Sequence, residues 1–431
     1  MNLPEMASRS RQAFYALSVT PTEQRNRVLH LLADRLESDR DRIFAANQQD
    51  LAEAEKEGLA APLLSRLRFD RAKLTQVQEG LRSLAGLDDP IGQTVFCHEI
   101  TEGLKLYRVT CPIGVLGVIF ESRPDALIQI SSLAIKSGNS VLLKGGREAL
   151  RTNQELISAV RQALKDAGLP EDAAQLMETR EDVAAMLKED ELIDLIIPRG
   201  SNAFVRYIMD NSRIPVLGHA DGICHVYVDR DADLEKAFRV ALDSKIQNLS
   251  VCNAEETLLV HEEIAPRFLI PFAKELTAHG VEIRGDEAVQ RLIDCKPATE
   301  EDWRTEYLDA ILSIRIVPSA DAAIRHINHY GSHHTDCIVT ENTAAASDFL
   351  NRVDSAGVYH NVSTRFADGF VYGLGAEVGI ATGKLHSRGP MGLDGLTTYK
   401  YKLLGSGQTM ADMKSGAAQY THRVLSENCP L

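Results

Sequence analysis

The chain has 431 residues, of which 44% are hydrophobic and 25% are charged, the balance of a soluble globular protein with room for two or three domains. The formal net charge of −14 argues against a nucleic-acid-binding surface. The N-terminus has no apolar signal core, and no apolar run approaches the ~18 residues of a membrane span. We therefore expect a cytoplasmic protein with no membrane segment.

The cysteines are scattered and odd in number, which predicts neither a disulfide framework nor a metal site. The seven lie at positions 97, 111, 224, 252, 295, 337 and 429. No CxxC pair and no Cys/His zinc spacing is present. Reduced thiols fit the same cytoplasmic expectation.

The first hundred residues have the pattern of a helical scaffold. Thr20 is placed as an N-cap, with Pro21 at the first helical position and Glu23 closing a capping box. A second helix is predicted over 39–57. Residues 96–110 then alternate as an extended ribbon.

From Pro112 the pattern changes to alternating strands and helices. The predicted strands are 113–120, 140–144, 192–197 and 214–217, and the predicted helices are 124–135, 148–167 and 201–210. Units of this size predict a parallel sheet covered by helices on both faces. Such sheets bind ligands beyond the carboxyl ends of their strands.

Two of these strand ends are candidates for binding phosphate, although the common GxGxxG fingerprint is missing. Lys144, Gly145, Gly146 and Arg147 follow one strand and open a helix, so they combine close backbone approach with two cations. The pair at 200–201, Gly200 and Ser201, opens a second helix. The alternative for each set of glycines is that they only form the turn between strand and helix and bind no ligand.

A second α/β pattern follows residue 252. Predicted strands are 257–260, 311–317, 335–340 and 356–360, and predicted helices are 262–279, 320–328 and 344–352. We interpret this region as a second sheet domain. The β-prone stretch 396–404 is expected to add an edge strand to a neighbouring subunit, which predicts a homo-oligomer.

Cys252 is the candidate nucleophile. It precedes strand 257–260, so backbone N–H groups of the turn can face an oxyanion while the thiolate holds an acyl group as a thioester. A buried, inert thiol is the alternative. A non-redox hydrolase would instead pair Cys252 with His219 or His225, two histidines for which a structural role is the alternative.

A further segment offers groups for a carboxylate. Ser363, Thr364 and Arg365 follow strand 356–360, and a guanidinium can grip a carboxylate through two parallel hydrogen bonds. An exposed loop arginine with no ligand is the alternative.

With these pieces together, the chain resembles the γ-glutamyl phosphate reductases of the aldehyde dehydrogenase superfamily over nearly its whole length. The resemblance is carried by segments 112–124, 136–139, 144–146, 197–200, 218–227, 251–257, 363–366, 373–377 and 388–393. It implies an aldehyde dehydrogenase-like α/β fold. The implied parts are an NADP-binding domain of Rossmann type over 1–249, a catalytic domain over 250–385 and an oligomerisation segment over 386–431, with 97–110 joining the last.

The resemblance also implies a reaction in proline biosynthesis. NADPH reduces L-glutamyl 5-phosphate to L-glutamate 5-semialdehyde, and phosphate is released through a thioester on Cys252. Hydrolytic relatives carry a glutamate base where this chain has Leu217, so the thioester is expected to survive until hydride arrives. A separate glutamate 5-kinase would supply the acyl phosphate.

Site roles follow by alignment with the family's motifs. Ser122 and the side chain of Asn253 are candidates for the oxyanion, beside the backbone N–H of Cys252. Arg123, Ser363, Thr364 and Arg365 are assigned to the substrate, and Lys144, Gly145, Gly146, Arg147, Gly200 and Ser201 to the cofactor. Relatives that use NAD often carry a glutamate at the position of Arg147, so this arginine favours NADPH.

Three other functions remain open from the sequence. A CoA-acylating aldehyde dehydrogenase also lacks the hydrolytic base. The cysteine hydrolase described above and a scaffold without activity are the alternatives from other classes.

Overall fold

The computed structural model describes residues 2–179, 181–218 and 221–431. The α-helices of these residues, numbered α1 to α15 in chain order, are Leu3–Leu17, Thr22–Ser38, Arg40–Lys56, Ala61–Leu67, Arg71–Ala85, Pro124–Lys136, Leu150–Asp166, Glu181–Met186, Asn202–Asn211, Leu234–Ile246, Ala265–Ala278, Glu287–Gln290, Ala320–Tyr330, Thr343–Arg352 and Met410–Ser415. The strands, numbered β1 to β17, are Thr94–Thr101, Leu104–Pro112, Val115–Phe120, Ser140–Lys144, Ala174–Met177, Leu195–Arg199, Cys224–Val228, Glu255–His261, Glu282–Gly285, Lys296–Pro297, Ile311–Val317, Thr335–Val339, Gly357–His360, Ile380–Ala381, Gly389–Pro390, Thr397–Leu404 and Arg423–Leu425.

The chain forms two compact units, and the expected α/β fold class is confirmed. The first unit holds the chain up to Leu217 with Leu374–Gly379 and Met391–Leu431, and the second holds Gly218–Gly373 and Ile380–Pro390. The second unit thus begins before the predicted boundary at 249. The physical reason is that β7 pairs with both β8 and β12, so β7 and the helix after it belong to the sheet of the second unit.

The first unit is built around a parallel sheet with strand order β5-β4-β3-β6. Its strands β3 and β4 are buried along their whole length, as expected for a sheet covered on both faces. The chain passes from β3 through β4 to β5 and then places β6 on the other side of β3. This reversal makes the carboxyl ends of β3 and β6 the switch point where open α/β sheets bind ligands.

An antiparallel sheet with order β16-β2-β1-β17 completes the first unit. The ribbon predicted over 96–110 is the hairpin of β1 and β2, and the predicted strand 396–404 is β16, paired with β2. Asn139 connects the two sheets, because its buried amide accepts from Gly114 N–H and donates to the Leu396 carbonyl, both at 2.8 Å. Pairing of β16 with another subunit stays a prediction.

The second unit contains a parallel sheet of seven strands in the order β10-β9-β11-β8-β7-β12-β13. One face of this sheet packs against α10 and α11 through a cluster that includes Val226, Leu258 and Phe272, all fully buried. Strand β8 lies at the centre of the sheet and is buried from its first residue to its last. The turn before β8 therefore has a rigid support.

Two local predictions are wrong. Helix α2 begins at Thr22 with Pro21 as its N-cap, while the Thr20 hydroxyl donates to the Ala16 carbonyl at 2.9 Å. Thr20 therefore closes α1 rather than opening α2. Residues 214–217 form a single bridge between Val216 and Ile196 instead of a strand.

None of the helices in the described parts of the chain combines the length and apolar character needed to cross a lipid bilayer.

Three ionisable side chains lie fully buried together: Glu255 and Glu256 at the start of β8, and Lys245 on α10. Lys245 donates to Glu256 at 2.7 Å, and the Leu308 N–H donates to the same carboxylate at 3.2 Å. The Glu255 carboxyl is also fully buried, and neither of its oxygens has a hydrogen-bond partner among the described residues. Burial raises the pKa of Glu256 to about 7 and raises the pKa of Glu255 well above its usual value.

We predict that Glu255→Gln stabilises the protein relative to the wild type increasingly as pH rises from 6 to 8. The unfolded chain ionises this carboxyl at about pH 4.3, whereas the folded chain keeps it protonated to higher pH. Wild-type stability is therefore fully present at low pH and falls by up to about 1.4 kcal/mol per pH unit until the folded carboxyl ionises. The variant has no proton to lose at this position.

Urea unfolding at pH 6, 7 and 8 measures the difference in free energy of unfolding between variant and wild type. Glu263→Gln, at an exposed position after β8, is the matched control and is expected to show no such trend. A constant difference for Glu255→Gln across this range would contradict the prediction.

Candidate active site

Cys252 lies half-buried in the turn immediately before β8, as predicted. The backbone of Gly222 packs directly against it. A Cβ on Gly222 would lie 2.2 Å from the Cys252 carbonyl oxygen and 2.6 Å from the Cys252 Cβ. Only glycine permits this approach, so Gly222 sets the position of the turn from one side.

Two successive carbonyls of the turn are held by side chains from elsewhere in the second unit. The Cys224 thiol donates to the Cys252 carbonyl at 3.3 Å, and the Thr364 hydroxyl donates to the Asn253 carbonyl at 2.7 Å. Burial raises the pKa of Cys224 well above its usual value, so this thiol keeps the proton that it donates. The peptide planes beside Cys252 are therefore fixed in orientation.

Asn253 holds the neighbouring segment instead of facing solvent. Its amide nitrogen donates to the Ala367 carbonyl at 3.0 Å, and its amide oxygen is buried without a hydrogen-bond partner among the described residues. The side chain is 5% exposed. This amide is therefore bonded within the protein. We expect it to position the turn of Cys252 instead of binding the oxyanion.

Ser363 and Thr364 are likewise engaged within the protein. The Ser363 hydroxyl accepts from the Arg365 N–H at 3.2 Å, and the Thr364 N–H donates to the Ser244 hydroxyl at 3.1 Å. Both side chains are buried. The two hydroxyls are therefore bonded within the protein, and their assignment to the substrate stays a prediction.

Arg365 is the charged group of this assembly. Its Nε donates to the Gln247 Oε1 at 2.8 Å, which leaves the far edge of the guanidinium for a ligand. Burial lowers the pKa of Arg365 from its usual value, and negative charge at Cys252 and Asp243 opposes that shift. The structure thus brings Cys252, Asn253, Ser363, Thr364 and Arg365 together.

His225 is not placed to act as a base for Cys252. His225 is fully buried, and its Nδ1 lies 2.8 Å from the Asp336 Oδ1. Its ring packs edge-on against His326, with ring centroids 5.5 Å apart. His219 lies outside the described residues.

In the first unit, three of the predicted binding loops follow the carboxyl ends of adjacent strands. Residues 121–123 follow β3, residues 145–147 follow β4, and residues 200–201 follow β6. Because β4, β3 and β6 are neighbours in a parallel sheet, these loops lie along one edge of that sheet. The structure thus collects the expected cofactor-binding residues at the end where such sheets bind ligands.

Ser122 joins two of these loops. Its N–H and its hydroxyl both donate to the Glu148 Oε1, at 2.8 and 2.6 Å. Ser122 has a φ of 41°, an uncommon value for a residue with a side chain. A Cβ on Gly146 would lie 2.1 Å from the same Glu148 oxygen. Arg123 follows with an exposed side chain that forms no ion pair with the described residues.

The lysine and arginine at the end of β4 differ in environment. Lys144 is buried and donates to the Gly145 carbonyl at 2.6 Å, whereas Arg147 is 80% exposed and pairs with Glu57 at 2.7 Å. A Cβ on Gly145 would lie 2.2 Å from the Asn153 amide nitrogen, so the backbone is closely packed at this point.

The N-terminus of the helix that follows does not directly adjoin residues 144–147, as the sequence analysis had expected for a phosphate-binding site. Arg147 lies in a short 3₁₀ turn, and α7 begins only at Leu150. The buried Asp50 already caps this helix, because it accepts from the Thr152 N–H and hydroxyl at 2.8 and 2.7 Å. Asp50 therefore occupies backbone and side-chain donors in the first turn of α7, and the anion site expected at Lys144 and Arg147 stays a prediction.

The second predicted phosphate-binding site, residues 200–201, faces a carboxylate. Ser201 is the N-cap of α9, and its N–H donates to the Glu121 Oε2 at 3.3 Å. A Cβ on Gly200 would lie 2.9 Å from the same oxygen. Glu121 is exposed, and phosphate binding at residues 200–201 stays a prediction.

Several contributing residues were missed by the sequence analysis. Gly222 and Cys224 fall inside a motif that was recognised, but their contacts with Cys252 are visible only in the sheet. Gln247 orients Arg365, and Asp50 caps α7 from a distant helix. No local pattern signals a side chain that acts across such a separation.

Comparisons with known proteins agree with this geometry. The family model for the aldehyde dehydrogenase family matches residues 2–291. The chain is 55% identical to the gamma-glutamyl phosphate reductase of Pelotomaculum thermopropionicum over 99% of both chains. It is 53% identical to that of Acetivibrio thermocellus over 100% of both.

A solved structure extends the agreement to the fold. The crystal structure of gamma-glutamyl phosphate reductase from Thermotoga maritima superimposes with a TM-score of 0.93 at 41% identity. The match covers 95% of this chain and 100% of that one. The chain therefore belongs to the aldehyde dehydrogenase family and, within it, to the gamma-glutamyl phosphate reductases.

Proposed function

We propose that this chain reduces L-glutamyl 5-phosphate to L-glutamate 5-semialdehyde with NADPH, releasing phosphate through a thioester on Cys252. The observation that carries the proposal is the immobilised turn of Cys252 with Arg365 beside it. A nucleophilic sulfur next to a cation suits a substrate that has an acyl phosphate at one end and a carboxylate at the other.

The residues of the second unit would perform the acyl transfer. The Cys252 sulfur attacks the acyl carbon, the carbon–sulfur bond forms, and the bond to phosphate breaks. Phosphate is a good leaving group, so this step needs no strong acid. Arg365 holds the substrate carboxylate, and the backbone N–H of Cys252 stabilises the developing oxyanion. Asn253, Thr364 and Ser363 hold these groups in place.

The loops of the first unit would hold the cofactor and part of the substrate. Lys144 and Arg147 would bind the adenosine end, with Arg147 on the 2′-phosphate, and residues 200–201 would receive the pyrophosphate. NADP(H), when bound, supplies the hydride that reduces the thioester. Both donors of Ser122 are held by Glu148, so we assign Ser122 to positioning the loop after β3 rather than to the acyl oxygen. The exposed Arg123 would meet the substrate phosphate.

The thioester must not be hydrolysed before reduction. Leu217, where hydrolytic relatives carry a glutamate base, is 2% exposed and offers no group that could activate water. In the hydrolase alternative, the burial of His225 on Asp336 counts against this histidine as the base for Cys252. The CoA-acylating alternative is not favoured, because the curated relatives at 53–55% identity are reductases of the acyl phosphate.

We also propose the cellular compartment, the oligomeric state and the source of the substrate. None of the cysteines is in a disulfide, which suits a reducing cytoplasm and a catalytic thiol. A homo-oligomer is proposed from β16, whose outer edge can pair with a further strand. A separate glutamate 5-kinase would supply the labile acyl phosphate.

The reverse reaction tests the proposed function. With glutamate 5-semialdehyde, phosphate and NADP⁺, we expect NADPH to appear only when phosphate is present, because phosphate must cleave the thioester. Cys252→Ala is expected to abolish the signal while it leaves the far-UV circular dichroism unchanged. Turnover with CoA in place of phosphate would favour the acylating alternative, and full activity of Cys252→Ala would overturn the mechanism.

We predict that Arg365→Ala raises the KM for glutamate 5-semialdehyde by about 10- to 100-fold, because a charge-assisted carboxylate contact is lost. Steady-state kinetics of the reverse reaction measure the effect. Arg352→Ala, which removes an arginine from ion pairs at an exposed position, is the control and is expected to leave KM unchanged. An unchanged KM in Arg365→Ala would remove this residue from the carboxylate site.

We predict that Arg147→Glu weakens NADPH binding by about 10- to 100-fold and NADH binding much less, because only NADPH carries the 2′-phosphate. The fluorescence of the reduced nicotinamide on titration with protein gives both dissociation constants. Lys165→Glu, at an exposed position near the other end of α7, is the matched charge reversal. Equal losses for both cofactors would contradict the assignment of Arg147.

A further inference from the structure

We propose that Glu57 limits the preference of this enzyme for NADPH over NADH. Its carboxylate pairs with Arg147, so it competes with a 2′-phosphate for the guanidinium and can accept a hydrogen bond from the 2′-hydroxyl of NADH. This inference rests on the proposed role of Arg147 and adds a residue that acts against it.

The geometry brings Glu57 to the site from a separate helix. Glu57 is the C-cap residue of α3, and Gly58 follows with a φ of 77°, which turns the chain away at that point. The Glu57 Oε1 lies 2.7 Å from the Arg147 Nη2. Their side chains are 54% and 80% exposed, so the pair is accessible to a ligand from solvent.

Two other carboxylates on α3 bind other groups. Asp50 is buried and caps α7, and Glu53 pairs with Arg151 at 2.7 Å. Glu57 differs from both because its partner is the arginine at the end of β4. Its charge therefore acts where the adenosine ribose is expected.

The Glu57 carboxylate would affect the binding of the two cofactors in opposite directions. A guanidinium offers a fork of N–H groups to an oxyanion, and Glu57 already occupies part of that fork. A 2′-phosphate must displace the carboxylate or accept its repulsion. A ribose hydroxyl is a hydrogen-bond donor and is attracted to the same carboxylate. Glu57 thus weakens NADPH binding and supports NADH binding.

The expected effect is modest because the pair is exposed to water. Exposed ion pairs are screened by solvent and salt, so removal of the Glu57 charge should change the affinity by about three- to fivefold. The effect should shrink as ionic strength rises from 20 to 500 mM, since the two charges interact through water.

The test compares dissociation constants of NADPH and NADH for the full-length wild type, Glu57→Gln, Glu53→Gln and Arg147→Gln. Glu57→Gln is expected to tighten NADPH about three- to fivefold while NADH stays unchanged or weakens. Glu53→Gln removes the same charge from the same helix next to Arg151, and it is expected to leave the ratio of the two constants unchanged.

The outcomes separate this inference from the proposed function. If Arg147→Gln weakens NADPH selectively and Glu57→Gln leaves the ratio unchanged or weakens NADPH, the role of Glu57 is overturned while that of Arg147 stands. If Arg147→Gln weakens both cofactors equally, the 2′-phosphate assignment fails, and the inference fails with it.

Discussion

The reciprocal hydrogen bonds between Asn253 and segment 364–367 are the constraint on which the catalytic part of the structure depends. Thr364 donates to the backbone of Asn253, and the Asn253 side chain donates back to Ala367. All three residues are buried. Loss of either bond would leave a buried polar group unpaired, at a cost of about 1–3 kcal/mol. These bonds tie the turn of Cys252 to the segment of Arg365, so the fold sets the spacing between the proposed nucleophile and the proposed carboxylate site.

The residues that we propose for cofactor binding and for chemistry lie at opposite ends of the strands of their own sheets. In the first unit, the loops for the cofactor follow the carboxyl ends of β3, β4 and β6, as the rule for open α/β sheets requires. In the second unit, Cys252 lies at the amino end of β8, where that rule predicts no ligand. Closely packed backbone at Gly222 and donors from Cys224 and Thr364 supply the rigidity of this site instead.

Much of the fold could be predicted from the sequence because its strands are short apolar runs between turn residues. The strands 140–144 and 311–317 agree with the structure at both ends, and 335–340 differs from it by one residue. Strand β5, Ala174–Met177, was missed because four residues with an internal glutamine carry no clear periodicity. Strand β7 was recognised only as part of a motif, so the start of the second unit was placed too late.

The candidate site could be predicted less completely, for a physical reason that recurs. Sequence pattern indicates which residue types are candidates to act, here Cys252, Arg365 and Arg147. It does not show which polar groups are already satisfied by distant partners. Ser363 and Thr364 were assigned to substrate but bond to the protein, and the helix after Arg147 is capped by Asp50. Each of these partners lies on another element of the fold.

The charges buried near the start of β8 show how the protein tolerates a nucleophilic sulfur there. Lys245 and Glu256 form an ion pair at 2.7 Å, and burial raises the pKa of Glu255 well above its usual value. Arg365 contributes a cation whose electrostatic interaction with Cys252 is attractive when the sulfur is ionised, and Asp243 and Asp368 also act on this arginine. An ionised Glu255 would add a negative charge with no partner, which would disfavour a second anion nearby. The raised pKa of Glu255 therefore disfavours a further negative charge near the proposed nucleophile.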